Sequence, residues 1–532
     1  MVGTAEQIFR EFREHTVSEF FRKNAAMLGY TGKVRSLTTV IHEAVTNSID
    51  AAEEAGILPR VRVMIERVGE DPEHLRVIVE DNATGIPDEF IPRVFGKMLA
   101  GTKLHRFMQQ RGQQGIGISG AVMFAQMTTG KPVRVITSTG RGEITEATVM
   151  IDVNRNEGKI LNSRKIRGKW RGTRIELELR EVSYVRSRYG PFNYLRLTAV
   201  ANPHVHITLV EPDGVMSVFE NAVKDVPRPP EPVLPHPHGL LPDDLLSLAR
   251  STTAKTLASF LSNELERVSR EKAREVCKLA GVDEGKSPRD LTWEEAERMV
   301  RAFKQVKIQA PSSHGLRPIG ARNIESGLRQ IYNPEFVHVV QRPPKVYRGG
   351  IPFQVEVGIA YGGDIGKRTE EEGAQPGIEI IRFANRVPLI FDQGGCAIFQ
   401  AANSIDWRRY GVDPENTPVV VFVNISSVYV PYTSAGKQSI ADEPEIVAEV
   451  RSAIMEAARE LRAYLNRKIR MRERRERTMI FERYLPVIVK KAAKLAGRSP
   501  PDIRVVLEKI LGGKYAEADG GEEGKGGKEE AG

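Results

Sequence analysis

IHEAVTNSIDAAEEAG, residues 41–56, is the stretch on which the fold turns. Placed on a helix, Ile41, Ala44, Val45, Ile49 and Ala52 fall on one face at spacings of three and four, and that face predicts burial. Glu43, Asn47 and Asp50 fall on the opposite face. A carboxylate and an amide one turn apart can share a cation and a water. The carboxylate then serves as general base, and the amide oxygen ligates a hard ion such as Mg2+. Taken alone, the segment fits a solvated amphipathic helix better, so its partners elsewhere in the chain decide.

Three further segments bear on it. RVIVEDNATGIP, residues 76–87, is an alternating strand that runs into Asp81-Asn82, with Gly85 free to take positive φ. A carboxylate at a strand end can accept a hydrogen bond from an adenine amino group; an Asx turn is the plainer alternative. GTKLHRFMQQRGQQGIGISGAVMF, residues 101–124, has glycines at 112, 115, 117 and 120 just ahead of a helical pattern. Exposed backbone N–H groups at a helix N-terminus cradle phosphates. The usual phosphate-binding loop is absent, because Gly285-Lys286-Ser287 has Ala280 where that pattern needs glycine. Finally, RGTRIELEL, residues 171–179, reads as a Gly172-Thr173 turn feeding a strand.

The chain has 532 residues, enough for three or four domains, with 40% hydrophobic and 28% charged residues, as in ordinary globular protein. No run approaches the ~18 apolar residues of a membrane span, and the N-terminus does not read as a signal peptide. Cys277 and Cys396 stand far apart, which argues against disulfides and zinc and for a cytoplasmic setting. The net charge of +9 suits a polyanionic partner. A proline-rich passage, VPRPPEPVLPHPHG at 226–239, predicts a linker. Patterns from 240 to 306 are helical only, and β-branched strand signals return in FQVEVGIAYGG, GIEIIRFANRVPLIF and TPVVVFVNISSVYV. From near Glu443 an apolar stripe of Ile446, Val450, Ile454, Ala457, Leu461 and Leu465 predicts a helix to about Arg477, roughly 50 Å long. The tail from about Glu517 is of low complexity and predicts disorder.

In order and spacing the four segments resemble the Bergerat-fold ATPases, the group that contains gyrase B, Hsp90, MutL and histidine kinases. The resemblance implies that Glu43 activates the attacking water and Asn47 holds Mg2+. Asp81 would read adenine with Thr173, and Asn82 and Gly85 would shape that pocket. Residues 111–118 (Arg111, Gly112, Gln113, Gln114, Gly115, Ile116, Gly117 and Ile118) would form the phosphate lid, flanked by Thr102 and Lys103. His42 reads as an incidental surface histidine.

No phospho-acceptor helix precedes the nucleotide segments, which argues against a kinase. VYVPYTSAGKQSIAD, residues 428–442, resembles the switch-lysine loop of the transducer domain in gyrase and topoisomerase VI, with Lys437 as γ-phosphate sensor and Gln438 its neighbour. The helical module between the two strand blocks, and PSSHGLRPIGARNI at 311–324, resemble the B subunits of topoisomerase VI. That family implies an α+β chain in four parts. These are a Bergerat ATPase α/β sandwich at 1–225, a helix–two-turn–helix insertion at 226–306, an α/β transducer with a long helix at 307–480, and a C-terminal helical segment and tail at 481–532. It further implies ATP-dependent homodimerisation, duplex DNA as substrate, and a separate A subunit that cleaves DNA in an assembly of two A and two B subunits, at the nucleoid. A MutL-like repair ATPase and an Hsp90-like chaperone are the alternatives. Two basic clusters are candidate DNA contacts: RKIRGKWRGTR at 164–174, and Trp407-Arg408-Arg409-Tyr410, where arginine stands in place of the family's lysine. The run RKIRMRERRER near Arg467 reads as a solvated helix face or part of the A-subunit interface.

Overall fold

The computed structural model describes residues 23, 25–26, 28–98, 107–112, 117–153, 155–367 and 377–501. They divide into two units, residues 1–459 and 460–532. The first unit begins with helix α1 (Lys33–Glu54), whose apolar face is buried as its periodicity requires: Ile41, Val45, Ile49 and Ala52 are at most 1% exposed. Gly56, at φ 67°, ends it in the left-handed conformation that glycine adopts without strain.

An eight-stranded sheet follows, built from β1 (Arg60–Arg67), β2 (Leu75–Asp81), β3 (Val133–Thr139), β4 (Glu143–Asp152), β5 (Glu157–Arg167), β6 (Arg171–Leu179), β7 (His206–Val210) and β8 (Met216–Phe219). Its order is β5-β4-β3-β6-β2-β1-β7-β8, and only β1 and β7 pair in parallel. Val61, Val63 and Ile65 alternate inward from β1 onto a core shared with α1, α3 (Gly117–Thr129) and α4 (Pro191–Ala201); short α2 (Ile91–Gly96) packs at the side of β4 and β5. The strands also carry a ladder of ion pairs, Arg76–Glu178 at 3.1 Å, Arg134–Glu176 at 3.0 Å and Arg174–Glu80 at 3.2 Å. An antiparallel sheet with helices on one face leaves its other face to charge and water.

The helical stretch resolves into α5 (Pro242–Ser251), α6 (Leu257–Glu264), α7 (Arg270–Ala280) and α8 (Trp293–Phe303) around their own core, which includes Phe260, Val276, Met299 and Phe303. Ser269 caps α7 at the Lys272 N–H (3.2 Å), and Thr292 with Glu295 forms a capping box on α8.

After α9 (Ala321–Tyr332) comes the second sheet, of β9 (Phe336–Gln341), β10 (Lys345–Tyr347), β11 (Ile351–Tyr361), β12 (Ile378–Ala384), β13 (Val387–Pro388) and β14 (Val419–Ser427). β11 and β14 pair centrally and are buried on both faces, hence their apolar runs, into which only a few buried polar residues such as Glu356 and Asn424 intrude. Short α10 (Ala397–Asn403) sits beside β12. Strands β9 and β10 carry no signal that the sequence patterns pick out, and the single stretch 377–391 resolves into two strands, β12 and β13, joined by a turn. Gly172 and Thr173 lie inside β6, paired with Ser138 and Thr137, rather than in a turn before it. The last helix, α11 (Pro444–Leu495), continues past Arg477 and through Pro486. Within the first unit its residues Ile446, Val450, Ile454 and Ala457 are fully buried. In the second unit it exposes Met479, Ile480, Phe481, Tyr484, Val487 and Ile488. No described helix is long and apolar enough to cross a membrane.

Helices α4 and α9 bring the two sheets together. A Cβ on Gly327 would lie 2.2 Å from the Val200 carbonyl oxygen, so only glycine permits this approach. Gly327→Ala is expected to destabilise the chain by about 1–3 kcal/mol, read as a lower Tm in thermal denaturation.

Candidate functional site

Strand β2 delivers Asp81 to the flank of α1, against Ser48. Its Oδ1 accepts from the Ala83 and Thr173 N–H groups, each at 3.0 Å, and its Oδ2 from the Ser48 hydroxyl at 2.8 Å. Burial raises the Asp81 pKa, against the pull of these donors. A carboxylate has about four acceptor positions, so capacity remains for an amino group on a ligand. Glycine is compulsory behind it, since a Cβ on Gly172 would sit 2.0 Å from the Asp81 carbonyl oxygen. Gly85, at φ 73°, would place a Cβ 2.1 Å from the Ser138 carbonyl. The Thr137 hydroxyl accepts from the Ile86 N–H at 2.8 Å and meets the Thr173 hydroxyl at 3.4 Å. Asn82 binds the Arg60 N–H (2.8 Å) and the Leu58 carbonyl (3.0 Å), tying the end of β2 to the start of β1. Ser48 and Thr137 are not among the residues the sequence singles out, because a lone hydroxyl carries no pattern.

Towards the N-terminal side of Ser48, α1 presents Glu43, half-buried, and Asn47, exposed, one turn apart. Helix α3 begins at Gly117, directly against this carboxylate: a Cβ there would lie 2.0 Å from Glu43 Oε2. Ile118 and Gly112 are half-buried. The expected Thr102, Lys103, Gln113, Gln114, Gly115 and Ile116 lie outside the described residues. Among the described residues no group of three or more His, Cys, Asp or Glu could hold a metal. The fit for Mg2+ therefore rests on oxygen donors of Asn47 and of the nucleotide itself, a mixture that suits this hard cation.

Lys437 reaches this region from the loop after β14. It takes φ 53°, is 9% exposed, and places Nζ 3.5 Å from the Arg111 carbonyl oxygen. Its charge is felt by His42, whose pKa is lowered chiefly by burial and further by Lys437, against the opposing influence of Glu43. His42 is not a surface residue as expected: it is buried and stacks on Tyr194, with ring centroids 5.2 Å apart. Gln438 is committed elsewhere, since its side-chain oxygen accepts from the Phe391 N–H at 3.3 Å.

Asp50 also departs from expectation. It is buried, and Arg111 lies against it at 2.6 Å and against Glu53 at 2.7 Å. The same guanidinium reaches Asn202 Oδ1 at 2.7 Å, and His204 meets Glu53 at 2.7 Å. Burial alone would raise the Glu53 pKa; Arg111 and His204 outweigh it and hold the carboxylate far below its ordinary range. In this conformation the Arg111 side chain anchors the loop, and its backbone carbonyl faces Lys437.

The basic clusters occupy two surfaces. Arg164 pairs with Glu146 (2.5 Å) and Lys165 with Asp88 (2.9 Å), while Arg167, Lys169 and Arg171 are exposed around the β5–β6 turn. Trp407 is buried and donates to the Ala402 carbonyl (3.3 Å), which leaves Arg408 and Arg409 exposed beside it.

A family model for histidine kinase-, DNA gyrase B- and HSP90-like ATPases matches residues 32–157, and one for the topoisomerase VI B subunit transducer matches residues 311–477. The B subunit of type 2 DNA topoisomerase 6 from Pyrococcus furiosus is 53% identical, over 98% of this chain and 98% of its own length. Its counterpart from Pyrococcus horikoshii is 52% identical, over 96% and 97%. The one from Methanothermobacter thermautotrophicus is 48% identical, over 96% and 97%.

The contact between Gly117 and Glu43 yields a direct test. Gly117→Ala should push the carboxylate aside and lower steady-state ATP hydrolysis by about 100-fold, the scale of a 1 Å misplacement. Parent-like turnover would mean that Glu43 need not stay where α3 holds it.

Proposed function

The chain belongs to the topoisomerase VI B-subunit family, and from that membership we propose how its residues turn ATP hydrolysis into strand passage. It is the ATP-binding and ATP-hydrolysing subunit of a type IIB DNA topoisomerase. We assign the ATPase part to residues 1–225, the helix–two-turn–helix insertion to 226–306, the transducer to 307–480 and the C-terminal segment to 481–532.

Asp81, held by Ser48, Ala83 and Thr173, selects adenine through its remaining acceptor capacity, within a pocket shaped by Asn82 and Gly85. Glu43 takes a proton from the attacking water. Asn47 would hold Mg2+, which when bound would supply positive charge to the phosphates. The lid, residues 111–118 with Thr102 and Lys103 beside it, offers backbone N–H groups to the phosphates at the start of α3. Lys437 senses the γ-phosphate, which gives its ammonium a charged partner that ADP does not. One observation carries this reading: a lysine from the loop after the second sheet lies within 3.5 Å of the carbonyl at the root of the lid.

ATP binding then joins two copies of the chain into a closed gate, and α11 carries the closure to the A subunits, which cut duplex DNA. The apolar residues that α11 exposes between Met479 and Ile488 support docking of the A subunit there. The working assembly is two A and two B subunits on DNA, at the nucleoid, with the exposed arginines beside Trp407 and around the β5–β6 turn contacting phosphates.

ATP hydrolysis should be measured on the full chain with a matching A subunit, with and without duplex DNA. Glu43→Ala should retain nucleotide binding and lose about 100-fold or more in turnover. Lys437→Ala should lose stimulation by DNA. Parent-like rates in both variants would overturn the site assignment, and indifference of the parent to DNA would overturn the coupling.

A further inference from the structure

Asn385 and Arg386 make the two-residue turn between β12 and β13, where Ala384 faces Val387. Both take positive φ, 48° and 70°. Such hairpins require that backbone, but the second position ordinarily falls to glycine, so arginine there is strained. Strain of this kind persists only where the surroundings hold it. Here the Arg386 N–H donates to Asn424 Oδ1 (3.1 Å), and its Nη2 to the Pro318 carbonyl (3.0 Å). Its carbonyl accepts from Asn202 Nδ2 (3.1 Å), the same Asn202 whose oxygen receives Arg111.

Asn385 makes the more specific connection. It is 3% exposed, and its Nδ2 donates to two carbonyls at once, Gln110 at 3.0 Å and Ser427 at 2.9 Å. The Ser427 N–H returns a bond to Asn385 Oδ1 at 2.9 Å. Ser427 is the last residue of β14, the strand that leads into the Lys437 loop. Gln110 precedes Arg111, whose carbonyl faces Lys437. One amide nitrogen therefore sets the distance between the root of the lid and the base of the lysine loop. Gln109 reinforces the register, receiving the Arg317 N–H at 2.7 Å and donating to the Arg317 carbonyl at 2.9 Å.

We propose that Asn385 is a positioning residue for ATP hydrolysis, acting by clamping Gln110 to Ser427 so that Arg111 and Lys437 stay in register beside the nucleotide. It touches neither nucleotide nor metal. The proposal rests on the reading of Lys437 as the γ-phosphate sensor.

The test uses the full chain with its A subunit and duplex DNA, and compares Asn385→Gly, Asn385→Asp, Lys437→Ala and the Asn385→Gly/Lys437→Ala pair. Glycine adopts the turn's φ freely, so Asn385→Gly should keep Tm close to that of the parent. Its kcat should fall about tenfold while KM for ATP stays within about twofold, since only the reacting arrangement is lost. Asn385→Asp keeps the acceptor for the Ser427 N–H but loses both donations, and should reproduce the fall. In the Lys437→Ala background, Asn385→Gly should cost less than about twofold, because both act on one step. A purely structural role would give independent, multiplying losses, and that result overturns the proposal. So does parent-like kcat in both Asn385 variants while Lys437→Ala is impaired. Parent-like hydrolysis by Lys437→Ala would instead remove the sensor assignment, and this proposal with it.

Discussion

A guanidinium taken out of water is tolerable only among anions and acceptors, and Arg111 meets both requirements inside the first unit. Asp50 and Glu53 come from the last turns of α1, and Asn202 from the end of α4. Removing one partner from such a buried set typically costs about 3–5 kcal/mol, because the remaining charge stays uncompensated. The root of the lid is thereby fixed to the helix that carries Glu43. At 1.5 Å per residue, Glu43 stands roughly 15 Å from Glu53 along that helix. Glu43 and the carboxylates that anchor Arg111 thus belong to one helix. Position is transmitted along α1 with little loss.

The same economy governs the second sheet. Glu356 is fully buried and receives the Ile319 and Gly320 N–H groups (3.0 and 2.7 Å) and Asn424 Nδ2 (2.9 Å). Burial raises its pKa against these donors. Asn424 in turn accepts from the backbone of Arg386. Polar groups in this interior are linked into a connected set, and such sets resist partial disruption because each member left unpaired pays the full desolvation penalty. That is why a strained turn can be held with the Asn385 amide on the Gln110 carbonyl.

Much of this is legible in the sequence, for physical reasons that differ by element. The apolar face of α1 and the alternation of β2 follow directly from helix and strand periodicity, and the helices between 242 and 303 announce themselves through an uninterrupted series of helical patterns. The long runs in β11 and β14 read as strands because burial on both faces selects β-branched residues. Strand β9, FVHVVQ, interrupts its apolar run with His338 and hides its period, while β10 is too short to show one and the turn that separates β12 from β13 is concealed within one run. The polar face of α1 misleads in part. A single helical wheel carries no information on what a second layer will cover, so Asp50 looks like a solvent-facing neighbour of Asn47. Its partner Arg111 lies in a glycine-rich loop distant in sequence, and His42 is covered by Tyr194, which belongs to another helix again.

Coupling between a nucleotide and a remote gate needs an element whose contacts differ between two states, since a ligand shifts an equilibrium only by its differential affinity. Lys437 has the attributes of such an element. It sits in a left-handed backbone conformation that lysine adopts at a cost, and its ammonium is buried, where charge is expensive. Nearby lies a carbonyl, which offers a dipole. A γ-phosphate would offer full negative charge, so an ion pair would replace an ion–dipole contact. With Lys437 as the sensor we propose, the stronger attraction of the ATP state is what closure would draw on. It reaches the second sheet because the loop carrying Lys437 follows β14, whose last residue shares the Asn385 amide with the root of the lid. Strength at the phosphate therefore matters less than stiffness between Ser427 and Gln110: a compliant link would let Lys437 satisfy the phosphate without moving the sheet at all.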